Sequence, residues 1–144
     1  MTAGTSGSPG LEPGERRRLE NTLATLDAAL LRFATVTQHK SAWRIAATLA
    51  NKGLTLMRLE RYEEGIDVCG EVVRLYGDRS DSPTQVLVAG ALLQQGIALT
   101  SLGRVDEAVL AYDDLLRRFG NVPGSPDLAA VVATARQLRS TSPT

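Results

Sequence analysis

The chain has 144 residues, with 16 Lys+Arg balanced by 16 Asp+Glu, 43% hydrophobic residues and only 4% aromatic ones. The length suits one ordinary domain. The apolar share excludes a disordered chain, and zero net charge argues against a nucleic-acid binder, which needs a basic surface. One Cys and one His leave no disulfide framework and no multi-cysteine metal site, and no apolar run approaches the roughly 18 residues that cross a bilayer.

In chain order, residues 1–14 carry a single bulky apolar residue after Met1, Leu11, and are expected to be disordered because they cannot offset their ordering entropy. From 15 to 140 apolar residues recur at helical spacing, interrupted by Gly and Pro around 77–83, 103 and 120–126. No stretch alternates as a strand would. The pattern predicts a helix over 13–36, a loop holding His39, and then helices over about 41–60, 62–77, 83–102, 105–120 and 126–140. Residues 141–144 are expected to be a disordered tail. Ser82-Pro83 and Ser125-Pro126 read as an N-cap Ser followed by Pro at the first helical position, with Gln85 completing a capping box. Glu63, Glu64, Asp106 and Glu107 suit the positive end of a helix dipole, and Arg74, Arg117 and Arg118 its negative end. Gly77 and Gly120 are expected to be left-handed stops.

Sliding the sequence against itself by 43 residues aligns 45–87 with 88–130 without a gap, and eleven of the 43 positions are identical. Among them are Leu49/Leu92, Gly53/Gly96, Leu56/Leu99, Arg61/Arg104, Gly77/Gly120 and Pro83/Pro126. The same shift places Leu23, Leu26, Leu30 and Phe33 on Ile66, Cys69, Val73 and Tyr76. The chain reads as an array of two-helix units.

Leu49, Gly53, Leu56, Gly65, Cys69 and Val72, and then Leu92, Gly96, Leu99, Ala108, Tyr112 and Leu115, resemble the pattern of the tetratricopeptide repeat. The turns Arg61–Gly65 and Gly103–Ala108 are similar to the family's G-x-Y-x-E-A turn. The family unit has about 34 residues, so the resemblance is to its 43-residue bacterial variant, with a lengthened first helix. Lys52, Gln95, Gly65 and Cys69 depart from the family's usual residue types. The resemblance covers about 15–140 and implies an all-α, right-handed helical-hairpin solenoid of about six helices. The first predicted helix is then a second helix without a first, and the last is a first helix without a second. Either Arg16, Arg17, Arg18 and Glu20 cap the array, or an open flank docks on something.

The resemblance also implies a concave face lined by the first helices. Its inward positions are Ala47, Ala50, Leu54, Met57 and Arg58, and then Gly90, Leu93, Ile97, Thr100 and Ser101. Only Asn51 and Arg58 could serve a carboxylate clamp there, so none is expected. An apolar groove fits a partner's helix or peptide, or a second copy of the chain through the end helices. The plainer reading is that Leu54, Leu93 and Ile97 fill space between helices.

Cys69 and Trp43 read as packing residues, His39 as a surface residue, and Arg16-Arg17-Arg18 as a solvated face. The acidic pairs, Asp113/Asp114 included, satisfy no metal-loop spacing, and no phosphate loop or nucleophile motif appears. Neither enzymatic activity nor a cofactor, metal, nucleic acid or membrane is expected. Arg outnumbers Lys 14 to 2, the codon bias of a high-G+C bacterial genome. The absence of a signal-peptide pattern adds the expectation of a cytoplasmic protein. The function expected is a protein–protein interaction module, with a self-associating structural subunit or a small-ligand-binding regulator as alternatives.

Overall fold

A computed structural model describes residues 10–34, 42–122 and 124–142. Six helices follow one another: α1 Pro13–Ala34, α2 Ala42–Arg58, α3 Tyr62–Tyr76, α4 Ser82–Ser101, α5 Val105–Phe119 and α6 Pro126–Thr141. No strand occurs among the described residues, so the protein is all-α. Each helix packs on its neighbours in sequence. In addition α2 packs on α4 and α4 on α6, whereas the backbones of α1, α3 and α5 stay apart from one another. The result is two rows, an inner one of α2, α4 and α6 and an outer one of α1, α3 and α5. α3 and α5 are both 15 residues long and start 43 residues apart, the period of the sequence repeat.

The core follows the stripes. Leu49, Val72, Val88, Leu92, Leu99, Tyr112, Leu115 and Leu128 are buried in one cluster, and Leu19, Leu23, Leu56 and Leu59 in a second beneath α1. Leu11 packs against the second cluster. Order therefore begins before the boundary drawn at residue 14, with Pro13 and Gly14 already helical. Residues 1–9 and 143–144, and His39 with its loop, lie outside the described residues.

The two positions where Lys52 and Gln95 break the apolar pattern are compensated in different ways. Lys52 Nζ reaches Asp27 of α1 at 2.8 Å. One period later Gly70 stands where Asp27 did, and Gln95 Nε2 passes over it to donate to the Ile66 carbonyl at 3.1 Å. A third such link joins Arg139 Nε to Asp113, the next residue in that register, at 2.8 Å.

Three local expectations are corrected. Ser125 does cap α6, accepting from the Leu128 N–H at 3.2 Å, but α4 is capped by Asp81 and not Ser82. The Asp81 carboxylate accepts the Thr84 N–H at 3.3 Å and also the Thr84 hydroxyl. These bonds, with Arg79 Nε at 2.9 Å, hold its pKa below the usual carboxylate value. Asp and Ser are comparable caps, and here the carboxylate gains a second bond from the buried Thr84 hydroxyl. Gly77 and Gly120 have ordinary helical dihedrals. Their carbonyls take guanidinium donors instead, from Arg118 at 3.5 Å and Arg136 at 2.8 Å, which suits the negative end of a helix. The left-handed residues sit in the hairpin turns, Glu60 with φ 62° and Gly103 with φ 76°. Trp43, expected in the core, is 47% exposed, with the Arg44 guanidinium 5.7 Å from its ring centre.

α6 differs from α4 on the face that receives an outer helix. By the 43-residue register Arg136, Arg139 and Ser142 stand where α4 has Leu93, Gly96 and Leu99. That side of α6 is polar and held by the bonds to Gly120 and Asp113.

Candidate functional site

Eight of the ten positions expected on the inner face separate by depth as follows. Ala47 and Ala50 are half-buried, and Leu54 is 40% and Ile97 37% exposed. Thr100 is exposed, but its hydroxyl donates to the Gly96 carbonyl at 2.9 Å in its own helix. Arg58 is exposed and faces Glu15 of α1 at 3.9 Å. Met57 and Leu93 are core residues and not groove residues, the latter at 9% exposure within the main cluster. At Met57 and Leu93 the sequence register did not separate core from groove. Met57 faces the backbone crossing of α2 and α3, where a Cβ on Gly65 would come within 2.7 Å of Met57 Cγ.

Between α2 and α4 lies an open cleft of about 170 Å³. Ala50, Asn51 and Leu54 form one wall, Val86, Leu87, Gly90, Ala91 and Gln94 the other, and Cys69 of α3 lies at its base. Of the expected residues the structure therefore brings Ala50, Leu54 and Gly90 together, and places Ile97 one period further along the inner row. The cleft exists because small residues meet there. A Cβ on Gly90 would touch nothing within 4 Å. In the corresponding positions one period on, Ala50 becomes Leu93, Gly90 becomes Ala133 and Cys69 becomes Tyr112. Leu93 and Tyr112 are both buried there, which explains why Leu93 is core while its counterpart Ala50 lines an opening.

Sequence reasoning placed Cys69 in the core and passed over Val86 and Gln94. The signal was available in the register, where Cys69 aligns with an aromatic residue and so leaves room. The Cys69 side chain is almost wholly buried, and burial pushes its thiol pKa up to about 12. It is a protonated packing group and not a nucleophile.

A second recess of about 230 Å³ lies between the end of α5 and α6, lined by Phe119, Val122, Leu128, Val132 and Arg136 among others. Among the described residues no three His, Cys, Asp or Glu side chains gather as metal ligands, and no helix is long and apolar enough to cross a membrane.

The hairpin turns carry a repeated charge motif. Arg61 grips Glu64 through two bonds of 2.9 and 2.7 Å, and Arg104 grips Glu107 at 2.6 and 2.7 Å. Arg104 also reaches back to Glu63 of the preceding unit at 2.8 Å. Each guanidinium holds its Glu64 or Glu107 partner below the usual carboxylate range. These exposed pairs set geometry more than stability.

The chain matches no protein-family model, no curated protein and no solved structure.

Proposed function

We propose that the chain is a tetratricopeptide-like, right-handed helical-hairpin solenoid. On this reading it works in the cytoplasm as a protein–protein interaction module and not as an enzyme. The partner is a peptide or helix seated along the inner row of helices. The observation that carries the reading is the pair Leu54 and Ile97. They occupy the same place in successive units, both stay exposed by more than a third, and Leu54 stands at the edge of an apolar cleft. Apolar side chains repeated at one register on a surface are the anchors such grooves use.

The test is affinity capture from the native host with the wild-type chain and with Ile97→Glu. An exposed site tolerates a charge, so the variant should melt as the wild type does. It should lose the captured partner, with a cost of about 2 kcal/mol or more if Ile97 is a hot spot. An unchanged captured set would remove the inner row from the reading.

A second reading, a homodimer closed through an end helix, draws on α1, where Leu31 is 72% exposed. The polar face of α6 favours α1 over α6 for that role. A mass that rises with concentration, and that Leu31→Glu restores to the monomer, would favour it.

A further inference from the structure

We infer that the recess between α5 and α6 binds a small apolar monocarboxylate, with its hydrocarbon part in the recess and its carboxylate on Arg136. The recess shares no lining residue with the α2–α4 cleft, so the site stands apart from the inner-row reading. Its walls are apolar, made by Phe119, Val122, Leu128 and Val132 with two alanines. The one charged group lining it is Arg136, whose Nη2 donates to the Gly120 carbonyl at 2.8 Å. Gly120 lines the recess as well. That bond fixes the guanidinium beside the opening and leaves its other N–H donors for a ligand.

Arg136 is an exception in its half of the chain. From Arg61 onward every other arginine has a carboxylate within 4 Å, and Arg136 has none among the described residues. The repeat shows how this comes about. One period earlier the loop carries Asp78, Arg79 and Asp81, with Arg79 held on Asp81 at 2.9 Å. Here the same positions are Asn121, Val122 and Gly124. Gln85 has likewise become Leu128, and Leu93 has become Arg136. This unit has lost the acids of its loop, gained apolar walls and acquired a cation, all in one place. The sole acid of α6, Asp127, stands nine residues before Arg136, about 13 Å along the helix. Asp113 and Asp114 of α5 are taken by Arg139 and by Arg117 and Arg118.

A cation without a counter-charge beside an apolar hollow suits a ligand with one anionic and one apolar end. The volume of about 230 Å³ exceeds the ~150 Å³ apolar cavity that takes a benzene. There is room for one ring and a short linker. An apolar helix laid on this face would cover Arg136 and bring it no carboxylate, which costs free energy. A dianion finds a single cation, and a cationic ligand is repelled.

The experiment is an amide chemical-shift titration of the whole chain with phenylacetate, with phenylacetamide as its uncharged match. The acid should move the resonances of Gly120, Val122, Leu128 and Val132. It should bind roughly three- to fivefold tighter than the amide, the worth of one exposed charge pair, and added salt should narrow that gap. Arg136→Gln keeps a donor for the Gly120 carbonyl and removes the charge, so the acid should then bind no tighter than the amide. Ala133→Leu narrows the recess from an exposed position and should weaken both ligands. Thermal melts verify that the two variants fold, and the comparison of acid with amide on the wild type needs neither of them. Equal binding of acid and amide would overturn the carboxylate. Shifts centred on Arg16–Arg18 or on the α2–α4 cleft, or no shifts at all, would overturn the site. A wild-type dimer in sedimentation that Ala133→Leu dissolves would make the recess an interface between copies and overturn the small ligand.

Discussion

Glu60 and Gly103 occupy the same place in successive hairpin turns and share a positive φ, 62° and 76°. For a residue with a Cβ that conformation costs about 1 kcal/mol. Glycine relieves it at Gly103, where an added Cβ would meet nothing within 4 Å. Gly103→Glu is therefore a nearly pure backbone substitution. It should destabilise the protein by about 1 kcal/mol, and Glu60→Gly should stabilise it by about 0.5–1 kcal/mol, both read by denaturant melts. Equal stabilities for all three proteins would mean that the turns relax out of the left-handed region. The sequence placed the left-handed residues at Gly77 and Gly120 because glycine after a helix is the usual signal. What it could not convey is that an arginine from another helix covers the carbonyls at those two sites.

At the scale of helix pairs, the contact between inner and outer rows is set by what faces glycine. A Cβ on Gly96 would lie 2.6 Å from Tyr112 Cζ and 2.8 Å from Cδ1, and one on Gly53 would lie 2.7 Å from Cys69 Sγ. The tyrosine ring is buried and rigid, whereas the sulfur borders the open cleft and has room to turn. Mid-helix glycine costs about 0.5–1 kcal/mol relative to Ala, so both substitutions start with a helical gain. Gly96→Ala should still destabilise by roughly 1–3 kcal/mol through overpacking, and Gly53→Ala by clearly less. Similar losses in thermal and urea melts would contradict the link between cleft and packing. The helices themselves were legible, since Pro83, Pro126 and the glycine clusters mark their limits and the 43-residue register pairs them. Depth was not. Met57 and Leu93 share a register with exposed residues, and only the size of their three-dimensional neighbours buries them.

For the whole molecule, the N-terminal end is tied to α1 and α2 through Leu11, which packs against Leu19, Leu23, Leu56 and Leu59. Residues 1–9 carry no bulky apolar side chain beyond Met1. Removing them should leave the melting temperature unchanged within a degree or two. Removing residues 1–14 takes Leu11 with it and should cost about 1 kcal/mol, or roughly 3–5 °C in a chain of this size. Identical melting of both truncations would mean that Leu11 contributes nothing. The candidate cleft was only half legible on this scale. Ala50 and Leu54 follow from the repeat, but the opening arises from a combination of small residues, Cys69 and Gly90 with Ala50, contributed by three different helices.

The three links that tie each inner helix to the outer helix before it, Lys52 to Asp27, Gln95 past Gly70 to Ile66, and Arg139 to Asp113, differ in chemistry while meeting one register of the outer helices, that of Asp27, Gly70 and Asp113. Each is a matched pair, and a member moved alone leaves its counterpart stranded. An aspartate at Gly70 would meet the Gln95 amide where open space now lets it reach the backbone. A glycine at Asp27 would leave the Lys52 ammonium without its carboxylate. The units are therefore not interchangeable parts despite their common length. A consensus unit made by averaging the three, or an array lengthened by copying one of them, has to carry each pair across as an allele, both halves together.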